Sequence, residues 1–114
     1  MNHYHHIGRG ICVYDRLYDT LTFQAGLLYH HSLEFENFVV DFDEKEQVSG
    51  LRVFDASQTL GINQDFLDHV SKHSFKVSFE SGVVEMRVSL VGNKGQRSTH
   101  QVRMPLGVQH VPFG

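Results

Sequence analysis

Five carboxylates crowd the middle of the chain: Asp41, Asp43, Glu44, Glu46 and Asp55. A calcium loop takes oxygen ligands from alternate positions and needs a Gly at its sharp turn. Asp41 and Asp43 supply the first two ligands. Lys45 then occupies the next ligand position and repels a cation. If Asp43 pairs with Val48 in a hairpin, Asp41 pairs with Gly50 and Asp55 lies opposite Glu36. That separates Asp55 from Asp41 by on the order of 17 Å along the ladder. The plainer reading is a solvated turn at Asp43 and Glu44, with Asp55 capping a following helix.

Histidines are the second candidate set. His3, His5 and His6 cluster at the start, and His30 and His31 are adjacent. Zinc asks for three or four ligands converging from a rigid frame. A terminal His cluster supplies only loose affinity where the terminus frays, and residues 1–8 read as a loosely ordered N-terminus. His69, His73, His100 and His110 have no partner spacing that suggests a site. Cys12 lies in an apolar strand with neither a base nor a helix end to lower its pKa, so it reads as a small strand residue. With one cysteine, an internal disulfide is excluded.

Gly92-Asn93-Lys94-Gly95-Gln96-Arg97 superficially resembles a phosphate loop. A P-loop needs longer spacing and a Lys-Ser/Thr pair opening a helix. A GxxG nucleic-acid loop must join two helices. Strands flank this one, so both readings fail. Lys94, Arg97 and Arg103 remain weak anion-binding candidates. Nucleophile-elbow, dinucleotide-fingerprint, HExxH and paired CxxC motifs are all missing, and no cofactor is implied.

The elements that must position these residues are mostly strands. Gly10 to Tyr14, Leu21 to Ala25, Leu33 to Asp43 and Val48 to Asp55 all read as extended, and Leu27 to Ser32 is ambiguous. Within Leu33–Asp43 the apolar phase shifts after Asn37, which suggests a bulge. Asp55 or Ser57 is expected to cap a short turn that Gly61 ends. A helix is expected from an Asn63 cap, with Asp65 in its first turn. Phe66, Leu67 and Val70 then share one face, and Lys72 and His73 fall in the last turn. Alternation then resumes through Phe75, Val77 and Phe79, through Val84, Met86, Val88 and Leu90, and through Val102, Met104 and Leu106. Ser81-Gly82 and Gly92–Gly95 are the turns. Pro105 cannot donate to a ladder, which puts the last strand at an edge. The expected fold is α+β: one domain over residues 1–114, with a single antiparallel sheet of about six or seven strands and one short helix packed on it.

The chain has 114 residues, 40% of them apolar, enough for one core without a structural metal. Its net charge is −3 and its pI about 6.3, whereas nucleic-acid domains often exceed about 9. No nucleic-acid partner is therefore expected, although a local basic patch survives such an argument. No apolar run approaches the ~20 residues that span a bilayer, so no membrane partner is expected either. The first residues lack the charged-then-apolar layout of a signal peptide. Together with the lone thiol, this gives a cytoplasmic expectation.

One stretch is distinctive. Tyr14-Asp15 and Tyr18-Asp19-Thr20-Leu21-Thr22-Phe23 lead to Phe38-Val39-Val40-Asp41-Phe42-Asp43-Glu44, then to Val48-Ser49-Gly50-Leu51-Arg52-Val53-Phe54-Asp55-Ala56-Ser57. This resembles the small prokaryotic proteins of domain-of-unknown-function family 2283, over about Ile11 to Gly61. The turn departs from that pattern at Arg16-Leu17, where Pro, Glu and Ala are usual. The acidic turn departs at Lys45-Glu46-Gln47, where a Gly is frequent. The resemblance carries over no catalytic residue. Some members sit beside small toxin proteins, which implies a protein partner. The expected function is a non-catalytic interaction module, homo-oligomeric or paired with another small protein, toxin neutralisation being one such role. A metal- or small-ligand-binding domain and an enzyme of unrecognised type are the alternatives.

Overall fold

Period-two alternation dominates the chain and builds nine strands among the described residues. The computed structural model describes residues 3–7, 10–25 and 31–105. The strands are β1 (His3–Ile7), β2 (Ile11–Asp15), β3 (Thr20–Gln24), β4 (His31–Phe35), β5 (Phe38–Phe42), β6 (Val48–Val53), β7 (Val70–Glu80), β8 (Val83–Gly92) and β9 (Arg97–Pro105). Two short helices, α1 (Ala56–Leu60) and α2 (Gln64–Leu67), connect β6 to β7. Within residues 1–8, read as loosely ordered, His3–Ile7 form β1.

The strands make two antiparallel sheets where one was expected. One sheet has the order β1-β7-β8-β9, the other β2-β3-β6-β5-β4. Alternation reveals that a sheet has a dry face but not what covers it. Here each sheet covers the other. Phe75 on β7 meets Phe23 on β3 with ring centroids 5.3 Å apart. Phe79, four residues further along β7, meets Phe35 on β4 and Phe42 on β5 at 6.0 and 5.9 Å. So β7 crosses the strands of the facing sheet. Leu21, Val40, Leu51 and Val53 from one side and Val77, Val84, Met86, Val88 and Leu90 from the other fill the same core. Leu60 and Leu67 add the buried sides of the helices.

Two element readings are corrected. The strand expected over Leu33–Asp43 is a hairpin, β4 and β5, turning at Glu36-Asn37 with Glu36 at φ 55°. A two-residue turn resets the apolar phase as a bulge does. The bulge itself lies on the opposite strand: Asp41 pairs with Gly50 and Phe42 with Val48, which leaves Ser49 extra. The helix after Asn63 stops at Leu67, so Val70, Lys72 and His73 belong to β7. A ten-residue helix is marginal on its own. Ten register pairs between β7 and β8 make the strand the better use of those residues. The Asn63 cap does form, with its side chain accepting from the Phe66 N–H at 2.8 Å, and Asp65 sits in the first turn. Pro105 ends β9, an edge strand as expected. Leu27 to Ser32 falls largely outside the described residues, as do His30, Leu106 and His110. Among the described residues, no helix is long and apolar enough to cross a membrane.

Candidate functional site: the open β2 edge

Among the described residues, strand β2 pairs with β3 on one side only, so on its other side no described strand takes up its backbone groups. Cys12 and Tyr14 pack against the core, which turns Ile11, Val13 and Asp15 to the outer face. The five large apolar side chains left exposed among the described residues all gather here. Ile11 (57%) and Val13 (53%) lie on β2, Leu17 (83%) and Tyr18 (72%) in the β2–β3 turn, and Phe54 (39%) just past β6. Val13, Asp15, Tyr18, Thr20, Thr22 and Phe54 line a shallow depression of about 590 Å³. Edge strands are commonly blunted by Pro, Lys or a bulge. The β9 edge has Pro105, Arg97 and Arg103. Strand β2, Ile-Cys-Val-Tyr-Asp, has none of these, and its register with β3 is unbroken.

The β2–β3 turn that presents Leu17 and Tyr18 is held by polar side chains. The Tyr14 hydroxyl donates to Asp19 Oδ1 at 2.5 Å. The Ser57 hydroxyl at 2.7 Å and the Ser57 N–H at 3.1 Å also donate to that carboxylate. The Ala56 N–H donates to the Asp19 carbonyl at 2.8 Å. Asp19 therefore caps α1 from a distant turn. Asp55, the expected cap, occupies the N-cap position in a left-handed conformation and makes no side-chain cap bond. Gly61 ends the helix as expected, at φ 68°. Burial works to raise the Asp19 carboxyl, but the bonds from Ser57 and Tyr14 outweigh it and hold the group below its usual range. Burial first, and then the bond to Asp19, push the Tyr14 phenol up to about 12. On the far side of the turn, the Arg16 guanidinium donates to Asp65 at 3.0 Å and to Asp68, both on or beside α2. These residues carry much of the distinctive sequence stretch, and here they are architectural.

The sequence candidates are dispersed. Asp41 is closed off: Arg52 donates to it at 2.8 and 3.3 Å and the Ser32 hydroxyl at 2.6 Å. Asp43 Oδ1 accepts from the N–H groups of Lys45 (2.8 Å) and Gln47 (3.0 Å), the expected polar turn. Glu46 faces His31 at 3.7 Å. His3, His5 and His6 lie on β1, at register positions opposite Phe79, Val77 and Lys76, in the sheet that does not contain Asp41. Among the described residues, no three His, Cys, Asp or Glu side chains are grouped to hold a metal ion. Burial pushes the Cys12 thiol up to about 12, the opposite of nucleophile activation. Lys94 sits in the β8–β9 turn, beside a second hollow of about 460 Å³ lined also by Asn63, Phe66, His69 and Asn93. Arg97 and Arg103 are six residues apart on β9, roughly 20 Å, so the three cations do not converge on one anion.

The β2 patch was missed in the sequence because Ile11, Val13 and Phe54 look like core residues there. In comparisons with known proteins, no family model, curated protein or solved structure matches the chain significantly.

Proposed function

We propose that the protein is a non-catalytic protein-interaction module that docks another chain on the β2 edge and the apolar face beside it. The observation that carries this reading is the gathering of all five exposed large apolar side chains of the described residues at one unblunted strand edge. Apolar patches of this kind mark interaction sites, and an open edge accepts a further strand through main-chain hydrogen bonds. A second copy suits the edge well. An antiparallel β2–β2 pair about a two-fold axis at Val13 sets Cys12 against Tyr14 and Ile11 against Asp15, and such self-complementary pairing is the commonest oligomer symmetry. The resemblance to family 2283 belongs to this proposal: Tyr14, Asp19 and Ser57 support a docking surface and perform no chemistry.

Native mass spectrometry and light scattering on the full chain test it, with Val13→Glu as the variant. Val13 is outward and half exposed, so a Glu is tolerated by the fold but not by a paired edge. A wild-type dimer that becomes a folded monomer in Val13→Glu is expected. A wild type that stays monomeric well above micromolar concentration removes self-pairing. A dimer indifferent to Val13→Glu removes the β2 site.

A further inference from the structure

Helix α2 and the β8–β9 turn are tied together beside a hollow. The Asn93 N–H donates to the His69 carbonyl at 2.9 Å, which joins the turn to the segment leaving α2. The turn is closed by the Gly92 N–H on the Gln96 carbonyl at 2.8 Å and the Gly95 N–H on the Gly92 carbonyl at 3.0 Å. Gly92 is buried in ordinary backbone, so no positive φ calls for a glycine there. Its missing side chain leaves room instead: a Cβ would stand 2.7 Å from the Gln96 amide carbon. Gln96 lies back over Gly92, and its Oε1 accepts from the Lys94 N–H at 3.0 Å. The hollow, about 460 Å³, lies among Asn63, Phe66, His69, Asn93, Lys94 and Gln96. That is within the ~300–1,000 Å³ typical of small-molecule sites.

We infer that this hollow binds a small organic anion, a carboxylate or phosphate ester on an apolar body. Donors outnumber acceptors in its wall. Asn63 spends its Oδ1 on the Phe66 N–H at 2.8 Å, and Gln96 spends its Oε1 on the Lys94 N–H. Each then has an amide NH2 left to donate. The Lys94 ammonium is a compact cation with three donors, and it makes no ion pair among the described residues. The carboxylate of the wall, Asp65, already accepts from Arg16 at 3.0 Å. His69 supplies an acceptor. Its Nδ1 lies 2.8 Å from the Asp65 carbonyl oxygen, which can only accept, so the ring proton sits on Nδ1. The neutral ring keeps Nε2 as an acceptor, suited to one ligand hydroxyl. Phe66 is half-buried and offers carbon surface to the body of the ligand. A surplus of N–H groups around a cation selects an anion, because charge-assisted hydrogen bonds are roughly twice as strong as neutral ones.

Titration of the isotope-labelled full chain with phenyl phosphate and with phenylacetate, followed by amide NMR shifts, tests the inference. Ligands of this size bind such a hollow at about millimolar strength. Saturable shifts confined to α2, His69 and the β8–β9 turn are expected. Lys94→Gln should weaken binding at least about fivefold. Arg103→Gln removes the same charge from the far part of β9 and should bind as wild type does. Val13→Glu, on the β2 edge, should also bind as wild type does, so the two surfaces are tested separately. The tighter of the two probes tells whether the anion is a phosphate or a carboxylate. The inference is overturned by shifts that do not saturate, by shifts centred elsewhere, by affinity unchanged in Lys94→Gln, or by equal binding of benzylamine, which carries the opposite charge.

Discussion

Asp19→Ala removes the one carboxylate on which strand β2, the β2–β3 turn and α1 converge. Three donors lose their acceptor: the Tyr14 hydroxyl, the Ser57 hydroxyl and the Ser57 N–H. An N-cap acceptor is worth about 0.5–2 kcal/mol. A hydrogen bond to a charged group is worth about 1.5–3 kcal/mol where water cannot replace it. Asp19 is only half-buried, so water recovers part of each bond, and the expected loss is about 2–3 kcal/mol. At roughly 4 °C per kcal/mol for a chain of this size, Tm falls by about 10 °C. Asp19→Asn keeps an oxygen for the Ser57 N–H and loses the charge, which costs about 1 kcal/mol. Ser57→Ala leaves the backbone cap in place and should lie between wild type and Asp19→Ala. Because the folded carboxyl is held below its unfolded value of 3.8, its contribution is full above that value and is lost as pH falls through the folded one. The Asp19→Asn melting curve should accordingly flatten at acid pH. Thermal denaturation by circular dichroism from pH 7 to 3 measures all of this. An Asp19→Ala Tm within a couple of degrees of wild type, or a Ser57→Ala loss equal to it, would mean that the Asp19 carboxylate does not hold the turn to α1.

Two further outcomes follow from single side chains. Burial against Phe23, at a ring distance of 5.8 Å, holds His73 below the ordinary value of 6.5, and its buried Nε2 has no hydrogen-bond partner among the described residues. The unfolded chain then binds the proton first, so stability is full above 6.5 and declines on acidification, by at most about 1.4 kcal/mol per pH unit. His73→Phe should lose that decline without losing stability at pH 7, and a Tm at pH 7 well below wild type would count against it. A Cβ on Gly50 would sit 2.8 Å from the Phe23 carbonyl oxygen, so Gly50→Ala should cost about 1–3 kcal/mol in chemical denaturation, and a neutral variant would mean the β3–β6 pair relaxes more freely than its register suggests.

The strands were legible because Phe75, Val77 and Phe79, or Val84, Met86 and Val88, alternate with polar residues, and alternation is a local signal. What covered them was not, because two sheets facing each other and one sheet under a helix leave the same local pattern. Helix α2 is shorter than its spacing predicts for a related reason. Phe66, Leu67 and Val70 satisfy helical spacing, while the partner that turns Val70 into strand lies about twenty residues away, at Gly92. The phase shift at Glu36-Asn37 was detected, but a turn and a bulge both insert it. Asp41 and Asp43 are ligand candidates on their alternate spacing, with Lys45 the local argument against them, but the cation that engages Asp41 is the distant Arg52. Asp19 gave no signal as a cap, because the helix it caps begins 37 residues later.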